Sequence, residues 1–238
     1  MYGYESLRRI KISPVTVWRL LTNNLFSYKS PEKNYIEGDE KELDDWLKNK
    51  FPKILKEVKK YRGILYFFDE ANVKMTSNVG KTWSPKGKRA VLKVTGKRGS
   101  ISALSAISKS GYLLFNVYDG TLKSDDVVQF LEYMLSHHKR RHLFILLDNA
   151  TVHHANKIKD FVENNPRLHI EYLPKYWPKY NPDEFVWNYL KNVEMKSYSA
   201  KNTETLMKMV VKKLTKIAGN LNTILGIFMR CKLSYHME

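Results

Sequence analysis

Cysteine is almost absent from the sequence, since the 238 residues contain only Cys231. A single cysteine can form neither an internal disulfide nor a cysteine-based zinc site, and it fits a reducing, cytoplasmic setting. No apolar run approaches the roughly 18 residues that a membrane-spanning helix needs. The first five residues lack both the basic start and the apolar block of a signal peptide. These absences predict a cytoplasmic protein that does not cross a membrane.

Acidic residues are also scarce relative to basic ones. The sequence has 24 Asp and Glu against 41 Lys and Arg, which gives a net charge of +17. Such an excess implies a polyanionic partner, most simply nucleic acid, with a basic membrane-surface protein as the rival. Apolar residues make up 43% of the chain, which is enough for a packed core in one large domain and a small appendage.

The N-terminal region predicts a short amphipathic helix within residues 11–28. Ser13 suits the N-cap and Pro14 the first helical position. Thr16 and Arg19 point away from the apolar face, as in a helix that enters a DNA major groove, although an ordinary amphipathic helix fits equally well. Because this helix begins almost at Met1, the helices that would precede it in a helix-turn-helix are missing. We therefore expect an N-terminally shortened piece of a longer protein.

The pattern after this helix predicts a mixed α/β sheet with helices on its faces. Residues 29–39 suit a linker, and residues 40–61 suit a helix that Pro52 kinks or splits. Strands are expected near residues 63–69, 90–95, 100–108, 112–118, 144–148 and 169–173, the first four as an antiparallel meander. Helices are expected at residues 125–138, 156–164, 183–191 and 203–218.

Three acidic residues stand at the ends of strands or in the first turn of a helix. Asp69 closes one apolar strand, Asp148 closes another, and Glu184 begins a helix. Carboxylate oxygens are the ligands that Mg²⁺ and Mn²⁺ prefer, and converging carboxylates repel one another unless a cation joins them. Spacing alone does not decide whether these acids bind a metal ion, because acids at strand ends are common.

Four segments resemble the DDE transposases of the IS630/Tc1-mariner superfamily, and the bacterial IS630 branch in particular. They are Phe68-Asp69-Glu70, Thr95-Gly96-Lys97-Arg98, the Asp148-Asn149 segment through His153-His154, and Asn181-Pro182-Asp183-Glu184 followed by Trp187 and Leu190-Lys191. The resemblance is strong over residues 60–195 and looser before them. Between Asp148 and Glu184 lie 35 residues, which fits the close spacing of these two acids in the family.

The resemblance implies an RNase H-like sheet flanked by helices, with Asp69, Asp148 and Glu184 holding two Mg²⁺ or Mn²⁺ ions. It implies cleavage of double-stranded DNA at terminal inverted repeats, then attack of the freed 3′-hydroxyl on target DNA, typically at a TA dinucleotide. A homodimer in the active complex, a prokaryotic source and association with the nucleoid are further implications. The implied division is a residual helix-turn-helix-like segment with a linker helix (residues 1–60), a catalytic domain (61–200) and a helical extension (201–238).

Several neighbouring residues carry expectations of their own. Asp183 is the weaker alternative to Glu184 as the third acid of the metal site. It could instead cap the helix that Glu184 begins. Trp177 stands where the family usually has a small residue, and Trp187 is expected in the core. Nine residues are expected to contact DNA: Arg19, Lys81, Lys86, Lys88, Arg89, Lys97, Arg98, Asn149 and His153. For the basic residues, an ordinary solvated surface is the alternative. His154 could lie near the site or equally well belong to a helix-capping loop.

The leading interpretation is therefore a metal-dependent DNA transposase. The apparent shortening leaves two alternatives open. One is a non-catalytic remnant that binds DNA or dimerises with a longer relative. The other is a host nuclease of the RNase H-like class.

Overall fold

The structure of this protein is a computed structural model, and it describes residues 12–28, 35–76, 82–149 and 155–237. The chain forms two compact units, Met1–Asn34 and Tyr35–Glu238. In the first unit, helix α1 spans Pro14–Asn23, and the Ser13 hydroxyl accepts a hydrogen bond from the Thr16 N–H at 3.1 Å. This confirms the predicted cap. No residue of α1 is buried.

The second unit is built on one five-stranded sheet with the strand order β3-β2-β1-β4-β5. Strands β1, β2 and β3 are antiparallel neighbours, whereas β4 and β5 run parallel to β1. The sheet is therefore mixed, as the sequence predicted. The strands are β1 (Ile64–Lys74), β2 (Ser100–Ile107), β3 (Leu113–Asp119), β4 (Leu143–Leu147) and β5 (Leu168–Tyr172).

Helices cover both faces of this sheet. They are α2 (Glu40–Asp45), α3 (Phe51–Lys60), α4 (Ser124–His137), α5 (Asn156–Glu163), α6 (Pro182–Tyr189), α7 (Thr203–Ala218) and α8 (Leu221–Phe228). A π-helical turn, Trp46–Lys50, joins α2 to α3, so the predicted helix over residues 40–61 is divided just before Pro52. Helix α8 was not among the predicted helices.

Two apolar cores lie on opposite faces of the sheet, and β1 contributes to both because successive side chains of a strand point to opposite faces. Leu65 and Phe67 pack with α3, α6, α7 and α8. Tyr66 and Phe68 pack with α4 and α5. Burial on both faces explains why β1 and β4 are nearly continuous apolar runs in the sequence.

The predicted strand at residues 90–95 is wrong. Residues 82–99 contain no strand, and Val91 and Val94 are 87% and 50% exposed. Instead, β1 continues well past Asp69 and pairs directly with β2, so that Lys74 lies opposite Ser100. Because β2 occupies one edge of β1 and β4 the other, neither edge of β1 is left for residues 90–95.

The core also joins segments that the sequence analysis had separated. Phe51 and Ile54 of α3, and Leu206 and Val210 of α7, are buried in the same cluster as the sheet residue Phe67. The linker helix and most of the C-terminal extension therefore belong to the same compact unit as the sheet. In the described part of the chain, no helix has both the length and the apolar character needed to cross a bilayer.

Candidate active site

Two neighbouring parallel strands place Asp69 and Asp148 side by side. Phe67 of β1 lies opposite Leu146 of β4. Asp69 follows Phe67 by two residues, and Asp148 follows Leu146 by two residues, directly after β4 ends. Since paired strands lie about 4.8 Å apart and keep their register, both aspartates stand at the carboxyl end of β4. Ligand sites of open α/β sheets form at this end of the strands.

Helix α6 brings Glu184 to the same place. Glu184 lies in the first turn of α6, and the buried side chains of Val186 and Trp187 hold the helix against the face of the sheet to which Phe67 points. Asp69 points to this face too, because it is two residues from Phe67 on the same strand. Trp187 is 3% exposed, which confirms that it packs in the core.

The acidic side chains lie within electrostatic range of one another. Burial raises the pKa of Asp69 well above its usual range, and the charges of Glu184, Asp183, Glu70 and Asp148 raise it further. Asp69 itself is only 6% exposed. The structure thus collects carboxyl groups that repel one another at one end of the sheet, although they are far apart in the sequence.

The chemistry of this donor set suits a hard divalent cation, because carboxylate oxygens are the ligands that such ions prefer. Among the described residues, however, no three His, Cys, Asp or Glu side chains meet at the separation that one ion requires. Coordination by Asp69, Asp148 and Glu184 together therefore requires these side chains to turn toward a common centre.

A buried group of hydrogen bonds, which we call the Asp183 anchor, fixes α6 to β1 and β2. Its members are Ser105, Asn181 and Asp183. The Ser105 hydroxyl donates to Asp183 Oδ2 at 2.5 Å, and the Asp69 N–H donates to the same carboxyl group. The Asn181 side-chain amide donates to the Phe68 carbonyl at 3.3 Å. These bonds join the first turn of α6 to the segment of β1 that carries Asp69.

The anchor also corrects the alternative role predicted for Asp183. The N-cap of α6 is Asn181, whose Oδ1 accepts from the Asp183 N–H at 3.1 Å, so Asp183 does not cap the helix. Asp183 is fully buried, and this burial raises its pKa well above its usual range, against the opposing effect of the Ser105 hydrogen bond. The Asn-Pro pair at 181–182 was a usable sequence signal for the cap. No local signal identified Ser105.

Lys191 is a second residue that the sequence analysis did not assign to the site. It lies in the π-helical turn Leu190–Glu194, which directly follows α6. Burial lowers the pKa of the Lys191 ammonium, while the charges of Glu184 and Asp69 raise it. Burial in turn raises the pKa of Glu184, Lys191 lowers it, and the charges of Asp148 and Glu70 raise it. The Lys191 ammonium therefore stands among the collected carboxyl groups.

The residues expected to contact DNA do not form one described cluster. Lys86, Lys88 and Arg89 are exposed within the irregular segment of residues 82–99. Lys97 and Arg98 line a cavity of about 410 Å³ beside the ends of β1 and β2. Arg19 is exposed in the first compact unit. Lys81, His153 and His154 are outside the residues that the structure describes.

Asn149 has a structural contact that the sequence did not predict. Its side-chain amide donates to the Leu173 carbonyl at 2.6 Å, which ties the segment after Asp148 to the segment after β5. Beside this contact, a cavity of about 450 Å³ opens against Asp148 and Glu184. Residues 173–178, Tyr35 and Asn181 also line this cavity.

Comparison with known families identifies the class of protein. Residues 64–207 match the family described as DDE superfamily endonuclease, and this match spans more than half of the chain. The protein belongs to the DDE superfamily endonuclease family. The matched region contains Asp69, Asp148 and Glu184.

Among curated proteins, the chain is similar to the insertion element IS630 uncharacterized 39 kDa protein of Shigella sonnei. The two are 20% identical over 148 residues, which is 61% of this chain and 43% of that protein. The chain therefore spans less than half the length of this relative.

Solved structures of Mos1 transposase share the fold. The mariner Mos1 paired-end complex with Mg gives a TM-score of 0.67 at 15% identity, covering 95% of this chain and 72% of that chain. The Mos1 paired-end complex with the left transposon end gives a TM-score of 0.61 at 13% identity, covering 93% and 71%. These similarities confirm the predicted RNase H-like sheet flanked by helices.

Proposed function

We propose that this protein is a DNA transposase that cuts double-stranded DNA at transposon ends and joins the freed 3′ end to target DNA. One observation carries this proposal: Asp69, Asp148 and Glu184, distant in the sequence, lie within electrostatic range at one end of the sheet. Family membership supports it, because the family is one of endonucleases. The similar Mos1 structures are complexes with transposon ends, which further supports DNA as the substrate.

In this proposal, the three acids hold divalent Mg²⁺ or Mn²⁺, in a pair of ions as the sequence resemblance implied. Mos1 complexes were solved with both metals, which supports a divalent cofactor here. Such ions, when bound, lower the pKa of a coordinated water and stabilise negative charge on phosphate oxygens. The protein's own part is to orient the ligands. The Asp183 anchor sets the position of Glu184 relative to Asp69, because it bonds the first turn of α6 to β1.

Lys191 supplies positive charge beside two of the three acids. Its ammonium lies near Glu184 and Asp69 and partly offsets the repulsion among the carboxylates. An approaching phosphodiester is itself anionic, so a fixed cation next to the acids favours its binding. Preorganised charge of this kind acts without rearrangement during the reaction.

The remaining contacts follow from the net charge of +17. We propose that Arg19, Lys81, Lys86, Lys88, Arg89, Lys97, Arg98 and His153 contact DNA, chiefly its phosphates. Asn149 lies close to the DNA but has its side-chain amide bonded to Leu173. Terminal inverted repeats, a TA target dinucleotide and a homodimer in the active complex complete the proposal. A non-catalytic remnant and a host nuclease are the alternatives, and neither the site nor the similar proteins favour them.

The direct test is nicking of supercoiled plasmid DNA with Mn²⁺. We expect Asp69→Asn, Asp148→Asn and Glu184→Gln each to reduce nicking by more than roughly 100-fold, because replacing even the groups behind metal ligands costs 10- to 100-fold. Electrophoretic mobility shifts should show nearly unchanged plasmid binding. Asp160→Asn is the matched control, since Asp160 is an exposed acid on α5.

Thermal unfolding gives a second measurement that does not depend on turnover. A ligand that binds only the folded state raises the melting temperature. We expect Mn²⁺ to raise it in the wild type and in Asp160→Asn but not in Asp148→Asn. Wild-type activity in any of the three acid variants would remove that residue from the site, and Mn²⁺-independent nicking would refute the metal assignment.

A further inference from the structure

We infer that the end of the sheet opposite the acids binds a second segment of double-stranded DNA, separate from the segment at the active site. We call this surface the basic end, and its members are Lys60, Arg62, Lys139, Arg140, Arg141 and Arg167. The inference rests on the proposed function, and it adds a DNA-binding surface at residues outside the active site.

Three connecting segments meet at the basic end, and they join α3 to β1, α4 to β4 and α5 to β5. The Ile64 N–H donates to the His142 carbonyl at 2.9 Å, which ties the first segment to the second. The Leu143 N–H donates to the Arg167 carbonyl at 2.8 Å, which ties the second to the third. Six basic residues from distant parts of the sequence are therefore gathered at one end of the sheet.

The basic end lies away from the acids. Arg141 comes shortly before β4 and Asp148 directly after it, so the five residues of this strand separate them. At about 3.3 Å per residue, the strand alone puts about 17 Å between the two positions. Connecting segments at opposite ends of a sheet face in opposite directions, so a straight duplex that lies across one end does not lie across the other. The DNA at the basic end is therefore a segment distant from the phosphodiester that reacts.

Most of the basic end has no acidic partner. Lys60 lies 3.6 Å from Glu57, and Arg167 Nη1 donates to the His138 carbonyl at 2.7 Å. In the described part of the chain, four exposed members form no ion pair, and these are Arg62, Lys139, Arg140 and Arg141. Exposed cations without an acidic partner are available to phosphate groups, and each one that binds a phosphate releases counterions from the DNA.

The backbone of Arg62 is unusual for a residue with a long side chain. Helix α3 ends here, with the Arg62 N–H donating to the Lys59 carbonyl at 3.2 Å and the Gly63 N–H to the Val58 carbonyl at 2.8 Å. This ending gives Arg62 a φ of +49°, in the left-handed region that glycine usually occupies after a helix. The strained conformation places a cation where glycine would fit without strain, and strain of this kind is concentrated at binding sites.

The chemistry of the basic end favours DNA over a membrane surface. Most of its members are arginines, whose planar guanidinium group presents several donors to one phosphate. Peripheral membrane binding adds exposed apolar side chains to such cations. Within residues 60–63, 138–142 and 165–167, Tyr61 is the one exposed large apolar residue, and its ring lies against that of His142, with the centroids 4.7 Å apart. A surface of cations without apolar side chains suits the phosphate backbone of a duplex.

The test measures capture of a second duplex by the full chain. Protein is loaded to saturation on a bead-bound duplex without added metal, and a short fluorescent duplex is titrated at several salt concentrations. We expect Lys139→Gln, Arg140→Gln and Arg141→Gln, combined in one variant, to lower the capture affinity more than roughly tenfold at physiological salt. The slope of log K against log salt should fall by about three, because each phosphate contact contributes about 0.9. Its melting temperature should match that of the wild type, since the three side chains are exposed.

The matched control removes the same amount of charge elsewhere. It combines Lys41→Gln, Lys196→Gln and Lys212→Gln, three exposed lysines outside the basic end, and it should capture the second duplex as the wild type does. Arg62→Gly separates binding from folding. This substitution removes one cation and relieves the positive φ, so the melting temperature should stay near that of the wild type while the salt slope falls by about one.

The outcomes distinguish this inference from the function on which it rests. Full capture by the combined variant of residues 139–141, or an equal loss in the control, overturns the basic end as a DNA surface, while Mn²⁺-dependent nicking by the wild type still supports the transposase. Full capture with a loss of sedimentation on phosphatidylserine vesicles would assign the surface to a membrane instead. Failure of the wild type to bind either duplex contradicts both the inference and the proposed function.

Discussion

The Asp183 anchor permits a sharp prediction, because three substitutions at the same hydrogen bonds should have three different effects. Asp183 is fully buried and accepts from the Ser105 hydroxyl and the Asp69 N–H. Asp183→Ala leaves both donors buried without an acceptor, at about 1–3 kcal/mol each, and removes packed atoms as well. We expect a loss of about 3–5 kcal/mol in the free energy of unfolding. That is a large part of the 5–15 kcal/mol typical of a domain.

Asp183→Asn should behave differently. The amide oxygen of asparagine can accept from Ser105 and from the Asp69 N–H, and the side chain stays uncharged in a site where burial disfavours the ionised carboxyl group. Its NH₂ group would occupy the place of Oδ1, which has no hydrogen-bond partner among the described residues. An amide donor at this place costs about 1–3 kcal/mol, so we expect Asp183→Asn to lose less stability than Asp183→Ala. Mn²⁺-dependent nicking should also be retained.

Ser105→Ala removes only one bond and should cost about 1–3 kcal/mol, because it leaves the buried Asp183 Oδ2 without this donor. Ser102→Ala is the matched control on the same strand, since the Ser102 hydroxyl donates to the Gly120 carbonyl at 2.6 Å, away from the acids. Both variants should lose stability, but only Ser105→Ala should also reduce nicking under conditions where both remain folded.

Urea unfolding followed by circular dichroism measures the stabilities, and plasmid nicking measures the activity. If Asp183→Asn unfolds as readily as Asp183→Ala, the anchor depends on charge rather than on hydrogen bonding. A folded Asp183→Asn variant that binds DNA but cannot nick it would instead make Asp183, and not Glu184, the third acid of the site.

Two further predictions concern pH and salt. The pKa of His138 is lowered from 6.5 to about 4, mainly by burial and further by the charges of His137 and Arg141. The His138 ring forms a hydrogen bond with the Tyr66 hydroxyl at 2.7 Å. The stability that neutral His138 contributes is fully present above pH 6.5 and is lost as the pH falls through about 4. This loss is at most about 3 kcal/mol, and urea unfolding from pH 7 to 4 should show a smaller decrease for His138→Gln; an unchanged decrease would contradict the assignment. DNA affinity should fall steeply with salt, and Lys97→Ala and Arg98→Ala should each reduce the slope of log K against log salt by about one. Unchanged slopes would place both residues away from the phosphates.

Much of this protein could be read from local sequence patterns. Apolar runs predicted β1 and β4, and helical periodicity predicted α4, α5 and α7 close to their observed bounds. The residues at the ends of these runs, Asp69 and Asp148, were candidate ligands for the same local reason: a buried strand that ends in an acid places it at the edge of the sheet. Asp69 and Asp148 could therefore be named as candidates without any tertiary contact.

The failures share a different cause. Residues 90–95 have the composition of a strand, yet β1 takes β2 as its partner and leaves them outside the sheet. Whether a β-prone segment becomes a strand depends on which edges are free, and this is decided by the whole chain. The partners of Asp183 were hidden for a similar reason, since Ser105 lies 78 residues away in the sequence.

The sequence by itself determined which residues are apolar, where helices are capped and which carboxyl groups end the strands, because each property depends on neighbours within a few positions. Only the tertiary structure decided that Asp183 is buried as an anchor while Glu184 faces the cavity, that Lys191 lies among the acids, and that Tyr176 lines a cavity beside them. Burial and charge at these positions come from side chains on other strands and helices. No local pattern records those contacts, since they exist only once the sheet and its two layers of helices have packed.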